Sequence, residues 1–223
     1  MPLFLLEIKN MVATCTTDLD IINAALRYLG DKRNISVTDK TNSAEEMRAA
    51  YRMVRDKLIR SYNWGCCIKE DTAAFIEEKA GKIYADRKYM YQIPSDCLGI
   101  ISLNGMQTGF SGVELTERYN PVYKIRGHNI YTRIKPPLVV EYKYRNEDVT
   151  SYDANFCDVL ALDLAIATCE RIKQSDSAMQ RLLQLREQAL NLALQAQAIE
   201  VPARPKPTGN WLRGRKIDIW GVE

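Results

Sequence analysis

A single histidine, His128, stands in this chain of 223 residues, beside six cysteines and 28 carboxylate side chains. Catalysis of the Ser-His or Cys-His kind needs a base held beside its nucleophile, and one imidazole leaves one chance to build that pair. Four carboxylate pairs lie close in sequence: Asp18 with Asp20, Glu45 with Glu46, Glu77 with Glu78, and Glu114 with Glu117. Glycoside hydrolysis uses two carboxylates, but at a separation that the fold sets. Each pair suits a helix cap or a solvated surface at least as well. The reading is of a protein that is not an enzyme, with no catalytic, cofactor-binding or metal-binding residue assigned.

The cysteines (Cys15, Cys66, Cys67, Cys97, Cys157, Cys169) contain no Cys-x-x-Cys and form no framework. They read as reduced thiols of a cytosolic environment, and a zinc site lacks the histidine partners it would need. The glycine-rich run Asn104–Gly112 lacks the Gly-Lys-Ser/Thr of a phosphate loop and no helix is marked directly after it, so it reads as a mobile loop tip.

Net charge is small, +3, but unevenly placed. From Val201 onward Arg204, Lys206, Arg213, Arg215 and Lys216 face Asp218 and Glu223, so this segment alone carries 5 − 2 = +3, the whole net charge. Pro202, Pro205 and Pro207 favour an extended chain there. Trp211 and Trp220 either pack back on their own domain or dock on a partner. Aromatic and arginine side chains are typical interface anchors, so Arg204, Trp211, Arg213, Arg215 and Trp220 are taken as partner-binding residues.

The stretch from Asp153 to Ala198 reads as two helices. The first, about Ala154 to Lys173, is capped by Asp153 and has almost no polar face, which belongs at the centre of a bundle. Gln174–Ser177 breaks the pattern, and Asp176 or Ser177 can cap a second helix over about Ala178–Ala198. Its apolar set is Met179, Leu182, Leu183, Leu185, Ala189, Leu190, Leu192 and Ala193. The short break predicts an antiparallel hairpin.

Earlier in the chain, Thr17 or Asp18 can cap a helix running to Leu29, with Gly30 as its left-handed stop. Ser43-Ala44-Glu45-Glu46 reads as a capping box that opens a helix with a Met47, Ala50, Tyr51, Val54, Leu58, Tyr62 stripe. Its Arg48, Arg52, Arg55, Lys57 and Arg60 are read first as a solvated face, second as a subunit contact. The period changes at Asn63-Trp64-Gly65. Short strands follow at Tyr89–Ile93, Ile100–Leu103, Tyr123–Ile125, Ile130–Thr132 and Leu138–Tyr144, the last with Val139, Glu141 and Lys143 alternating against Val140, Tyr142 and Tyr144. Trp64 is expected to be buried where helix gives way to sheet.

The fold class is therefore α+β. A helical bundle of about four helices is expected over 12–62 and 151–200, a small antiparallel sheet or barrel inserted over 63–150, and an extended arm over 201–223. No segment reads as a membrane span, because the longest apolar run, Val159–Cys169, is short and contains Asp163. Met1–Met11 lacks a basic leader and a clear cleavage site, which speaks against a signal peptide; Met11 is a second candidate start.

Four motifs in order resemble one family. Ile22-Asn23-Ala24-Ala25-Leu26-Arg27-Tyr28-Leu29-Gly30 resembles the opening "NxAL…LG" helix of the tail tubular protein A family, the head-to-tail adaptors of short-tailed bacteriophages. The segment from Tyr51 through Arg55-Asp56-Lys57-Leu58 to Trp64 resembles its "YxxxRDxLLRxxxW" helix end. Tyr91-Gln92-Ile93-Pro94-Ser95-Asp96-Cys97 is similar to its "YxLPxDC" strand. Tyr152-Asp153 and Phe156, followed by Leu160-Ala161 and Leu164-Ala165, resemble its return into the helices. The resemblance implies a structural virion protein, a connector at the head-tail junction assembled in the host bacterial cytoplasm. It implies a closed ring of this chain, twelvefold like the usual portal, between the portal protein and the tail nozzle protein. Such a ring continues the channel used in genome ejection and touches double-stranded DNA in passing. Two other classes stand beside it: a single-stranded nucleic-acid-binding protein using basic helix residues and exposed aromatics, and a cell-wall-degrading virion enzyme.

Overall fold

A computed structural model describes residues 15–30, 41–78, 87–107 and 123–200. In chain order the elements are α1 (Asp18–Leu29), α2 (Asn42–Ser61), β1 (Ile68–Glu78), β2 (Tyr89–Gln92), β3 (Cys97–Leu103), β4 (Met106–Gln107), β5 (Tyr123–Arg126), β6 (Asn129–Thr132), β7 (Leu138–Tyr144), α3 (Ala154–Ile172) and α4 (Asp176–Glu200). The fold is α+β, with four helices among the described residues and an antiparallel sheet between α2 and α3. No helix among the described residues is long and apolar enough to cross a membrane. The expected arm over 201–223 lies outside the described residues.

Two compact units emerge. The described residues of 15–69, 96–99 and 142–200 form a helical unit, and those of 70–95 and 100–141 form a β unit.

In the helical unit α3 packs against α1, α2 and α4. Its Phe156, Val159, Leu160, Ala161, Leu164 and Ala165 are fully buried, as expected of a helix apolar on nearly every side. Around them close Ile21, Ile22 and Leu26 of α1, Met47, Leu58 and Ile59 of α2, and Leu182 and Ala193 of α4. Trp64 is fully buried in this core, its ring edge-on to Phe156 at 5.1 Å and its indole N–H donating to the Leu58 carbonyl at 3.1 Å. Full burial of each such large apolar side chain is worth about 1.5–3 kcal/mol.

The helix ends follow local chemistry, with two corrections. At α1, Thr17 accepts from the Asp20 amide at 3.3 Å while Asp20 accepts from the Thr17 amide at 2.9 Å, a reciprocal box. Gly30 closes the helix at φ 68°. At α2, however, the cap is Thr41 and not Ser43: its hydroxyl accepts from the Ala44 amide at 3.3 Å. Ser43 is already helical, and alanine at the third position has no side chain to complete a box. At α4 the capping hydroxyl is Ser175, which accepts from the Ala178 amide at 3.4 Å, so Asp176 and Ser177 lie inside a helix that starts earlier than expected. Asp153 caps α3 as expected, accepting from the Asn155 amide.

The strand order is β4-β3-β7-β1-β2-β6-β5. The pairs β1–β2, β2–β6, β3–β4 and β5–β6 are antiparallel. The sequence reading did not isolate β1, which is the longest strand, Ile68–Glu78. Its Lys-Glu-Asp start breaks the apolar alternation that marks a strand. Leu138, Val140 and Tyr142 of β7 are the buried set of that strand. Asn104-Gly105 is a two-residue turn with positive φ at both residues (46° and 76°), joining β3 to β4. The start of the glycine-rich run is thus a hairpin, a correction to its reading as a loop tip throughout; residues 108–112 lie outside the described residues.

Candidate functional site

The carboxylate pairs resolve into structural roles. Asp18 and Asp20 sit in the first turn of α1, where negative charge suits the helix N-terminus. Burial alone would raise the Asp20 pKa, but the Thr16 and Thr17 hydroxyls and amides bound to its carboxylate hold it below the usual value. Glu45 lies in the first turn of α2, and Glu46 pairs with Arg171 at 2.6 Å. Glu77 and Glu78 face opposite sides of β1, across from Met90 and Tyr89. Glu114 and Glu117 lie outside the described residues. His128 is exposed just after Gly127 in the β5–β6 turn.

All six cysteines are free. The Cys66 and Cys67 sulfurs lie 3.7 Å apart, and this contact lowers the Cys66 pKa while raising that of Cys67. Burial, with Cys15 beside it, pushes the Cys157 thiol up. Among the described residues no group of three or more His, Cys, Asp or Glu side chains is placed to hold a metal ion.

Among the described residues a charged network forms in the helical unit. Arg55 is only 4% exposed, which corrects its reading as part of a solvated face. It binds Asp56 at 2.9 Å and Glu147 at 3.4 Å, and Arg145 takes the other Asp56 oxygen at 2.8 Å. Burial disfavours the Arg55 charge, yet the Asp56 carboxylate more than offsets it and the pKa rises. The helical period did place Arg55 one residue from Val54 on the core stripe, and that was the available signal. Arg52, Lys57 and Arg60 are exposed as expected. A second group joins Lys69 to Asp96 at 2.6 Å, with the Tyr142 hydroxyl donating to Asp96 at 3.1 Å and Lys69 over the Tyr144 ring at 5.2 Å.

Residues of all four motifs take part in this architecture. Leu26, Leu29 and Gly30 fill and close α1. Tyr51, Leu58 and Trp64 enter the core, and the buried Arg55 pairs with the half-buried Asp56. Tyr91 is fully buried in the β unit. Tyr152 meets Phe156 edge-on at 4.8 Å.

The partner-binding residues Arg204, Trp211, Arg213, Arg215 and Trp220 lie outside the described residues. What the sequence reading assigned wrongly is the far side of α4. Leu182, Leu190 and Ala193 are buried, but Leu183, Leu185 and Leu192 are 49%, 36% and 65% exposed, and Ile199 is 85% exposed. Leu185, Leu192 and Ile199 recur every seven residues with Ala189 and Ala196 between them, the spacing of a helix–helix seam. No protein-family model matches the chain, and no curated protein matches it.

Proposed function

We propose that this protein is a structural subunit of a short-tailed phage particle, a head-to-tail adaptor that assembles as a ring between portal and tail nozzle. The class comes from the four ordered motifs. The observation that carries the assembly half is the exposed apolar flank of α4. The helical core is closed by Leu182 and Ala193, so Leu185, Leu192 and Ile199 are surplus to the fold of one chain. Such exposed apolar surface is the mark of a contact with another molecule. In the adaptor reading a neighbouring copy covers this flank, and a head-to-tail contact with fixed rotation closes into a ring. The arm over 201–223 then reaches portal, with Trp211 and Trp220 in apolar pockets and Arg204, Arg213 and Arg215 paired with acidic groups.

The test mixes purified protein with portal particles of the same virus and images them by electron microscopy. Monomers or small oligomers are expected alone, and a closed ring on portal. Protein that never associates with portal defeats the adaptor reading, while a ring already formed in isolation defeats only the need for a template. Deleting residues 201–223 should leave helical circular dichroism and melting nearly intact and abolish portal capture in a pull-down. Full capture by the truncated chain reduces the arm to an ordinary tail, and unfolding shows that it packs on its own domain.

A further inference from the structure

The short turn Gly65–Cys67, which leads from α2 into β1, carries two adjacent thiols whose sulfurs lie 3.7 Å apart. Both residues belong to the helical unit. The backbone beneath them is held from two sides. The Cys67 amide donates to the Trp64 carbonyl at 2.9 Å, and the Asn146 side-chain amide donates to the Cys66 carbonyl at 2.8 Å. Asn146 is itself only 2% exposed. The two sulfurs are thus presented on a fixed stretch of chain, and only side-chain rotation separates them.

The two thiols differ in access and in ease of ionisation. Cys66 is half-buried, whereas Cys67 is fully buried. Contact with the Cys67 thiol, helped by the Asp153 backbone amide at the N-terminus of α3, holds the Cys66 pKa below its usual value against burial and the Asp153 carboxylate. The same contact, with burial, pushes Cys67 up, so Cys67 keeps its proton while Cys66 ionises. Cys97, also half-buried, is pushed up by burial, as is Cys157. An accessible thiolate in contact with a protonated thiol is the arrangement that disulfide exchange needs: one sulfur attacks and the other resolves.

We propose that Cys66 and Cys67 form an exchange site for low-molecular-weight disulfides. The Cys66 thiolate, its proton already lost to solvent, attacks one sulfur of the reagent. The reagent's S–S bond breaks, one thiolate leaves, and a mixed disulfide stands on Cys66. Cys67 passes its proton to the released thiolate and attacks the Cys66 sulfur, expelling the second thiolate. The pair loses two electrons, and the reagent is reduced to two thiols. Adjacent Cα atoms lie about 3.8 Å apart, short of the span of about 4.4–6.8 Å usual for a disulfide, so the Cys66–Cys67 bond is strained and easily reduced. The site needs one chain only and stands apart from the adaptor reading.

The test gives the full reduced chain one equivalent of 4,4′-dithiodipyridine and follows the released thiopyridone by absorbance. Acid quenching, alkylation and mass mapping of the tryptic peptide 61–69 then locate the product. That peptide carries Cys66 and Cys67 and no other cysteine. Wild type should release two thiopyridones per reagent consumed and yield peptide 61–69 lighter by two hydrogens. Cys67→Ser should release one and keep the thiopyridine adduct on Cys66, and Cys67→Ala should do the same should serine disturb the buried position. Cys66→Ser should slow reaction of this peptide at least tenfold. The proposal is overturned if the reagent goes to another cysteine while peptide 61–69 stays unmodified, or if Cys66→Ser reacts as fast as wild type. A wild-type adduct on Cys66 that Cys67 does not clear overturns it too, as does a disulfide from Cys66 to Cys15 or Cys157.

Discussion

In the helical unit α3 is covered on nearly every side, whereas the described strands of the β unit are fully buried at only a few positions, chiefly on one face. The contrast is visible in the residues themselves. The helical core joins Ile21, Leu26, Met47, Leu58, Trp64, Phe156, Leu160 and Leu182 into one cluster. Among the described residues of the β unit, the fully buried apolar side chains are Tyr91, Ile130, Leu138 and Val140, with Leu103 at 1%. A strand satisfies its backbone through its neighbours, so it needs apolar contact on one face alone. The other face can then carry Lys124, Arg126 and Tyr131, which a central helix has no room for. The helical unit is where stability should concentrate, and the β unit is where surface chemistry is cheap to place.

The strongest blow to this contrast would be a helical core that tolerates truncation. Trp64→Ala removes the largest buried ring and should cost about 3–5 kcal/mol, read as a large fall in the thermal midpoint. An unchanged melt would put the stability of the unit elsewhere. The two sides of α4 give the next test. Leu182→Ala should cost about 2–5 kcal/mol, while Leu192→Ala, 65% exposed, should stay within about 0.5 kcal/mol in the isolated chain. Equal losses would mean that the Leu192 flank is already covered, as in a preformed oligomer.

Arg55→Met tests a smaller element, the charge inside the helical unit. Asp56 keeps Arg145 at 2.8 Å, so the expected cost is about 1–3 kcal/mol rather than that of a wholly orphaned charge. A variant that melts at or above wild type would show that methionine packing offsets the lost pair. Smallest is the acid dependence of the α1 cap. The Asp20 carboxyl sits below its ordinary value of 3.8, so its contribution is present above that value and is lost as pH falls through the folded one. The melting difference between wild type and Asp20→Asn should therefore shrink below about pH 3.8. A difference that grows on acidification would reverse the sign and rule out the capping box as its source.

Legibility of the fold from sequence followed how local each signal is. Helical periodicity over Leu19–Leu29, Met47–Leu58 and Phe156–Cys169 needs no partner to be read, because the 3.6-residue repeat is local. Asp153 and Gly30 announced their caps for the same reason. Thr41 and Ser175 did not, since neighbouring hydroxyls compete for the first free amides and only the path of the backbone selects one. Short strands at Tyr89, Tyr123 and Leu138 were marked by alternation and turns, yet β1 was not, because its charged start hides the pattern.

Sequence alone determined that this chain has a central apolar helix, that its neighbours must be helices with one apolar stripe, and that a β segment interrupts them. It also determined that His128 is the one imidazole in the sequence, which follows from composition. Tertiary structure decided which of several equivalent-looking residues are core and which are surface. Leu182 and Leu192 are the same residue type on the same helix, and Arg55 and Arg52 likewise, but α3 reaches only one side of α4 and Glu147 only Arg55. Tertiary pairing alone brought Lys88, Lys124 and Tyr131 to one face, because strand register joins positions that lie far apart in sequence.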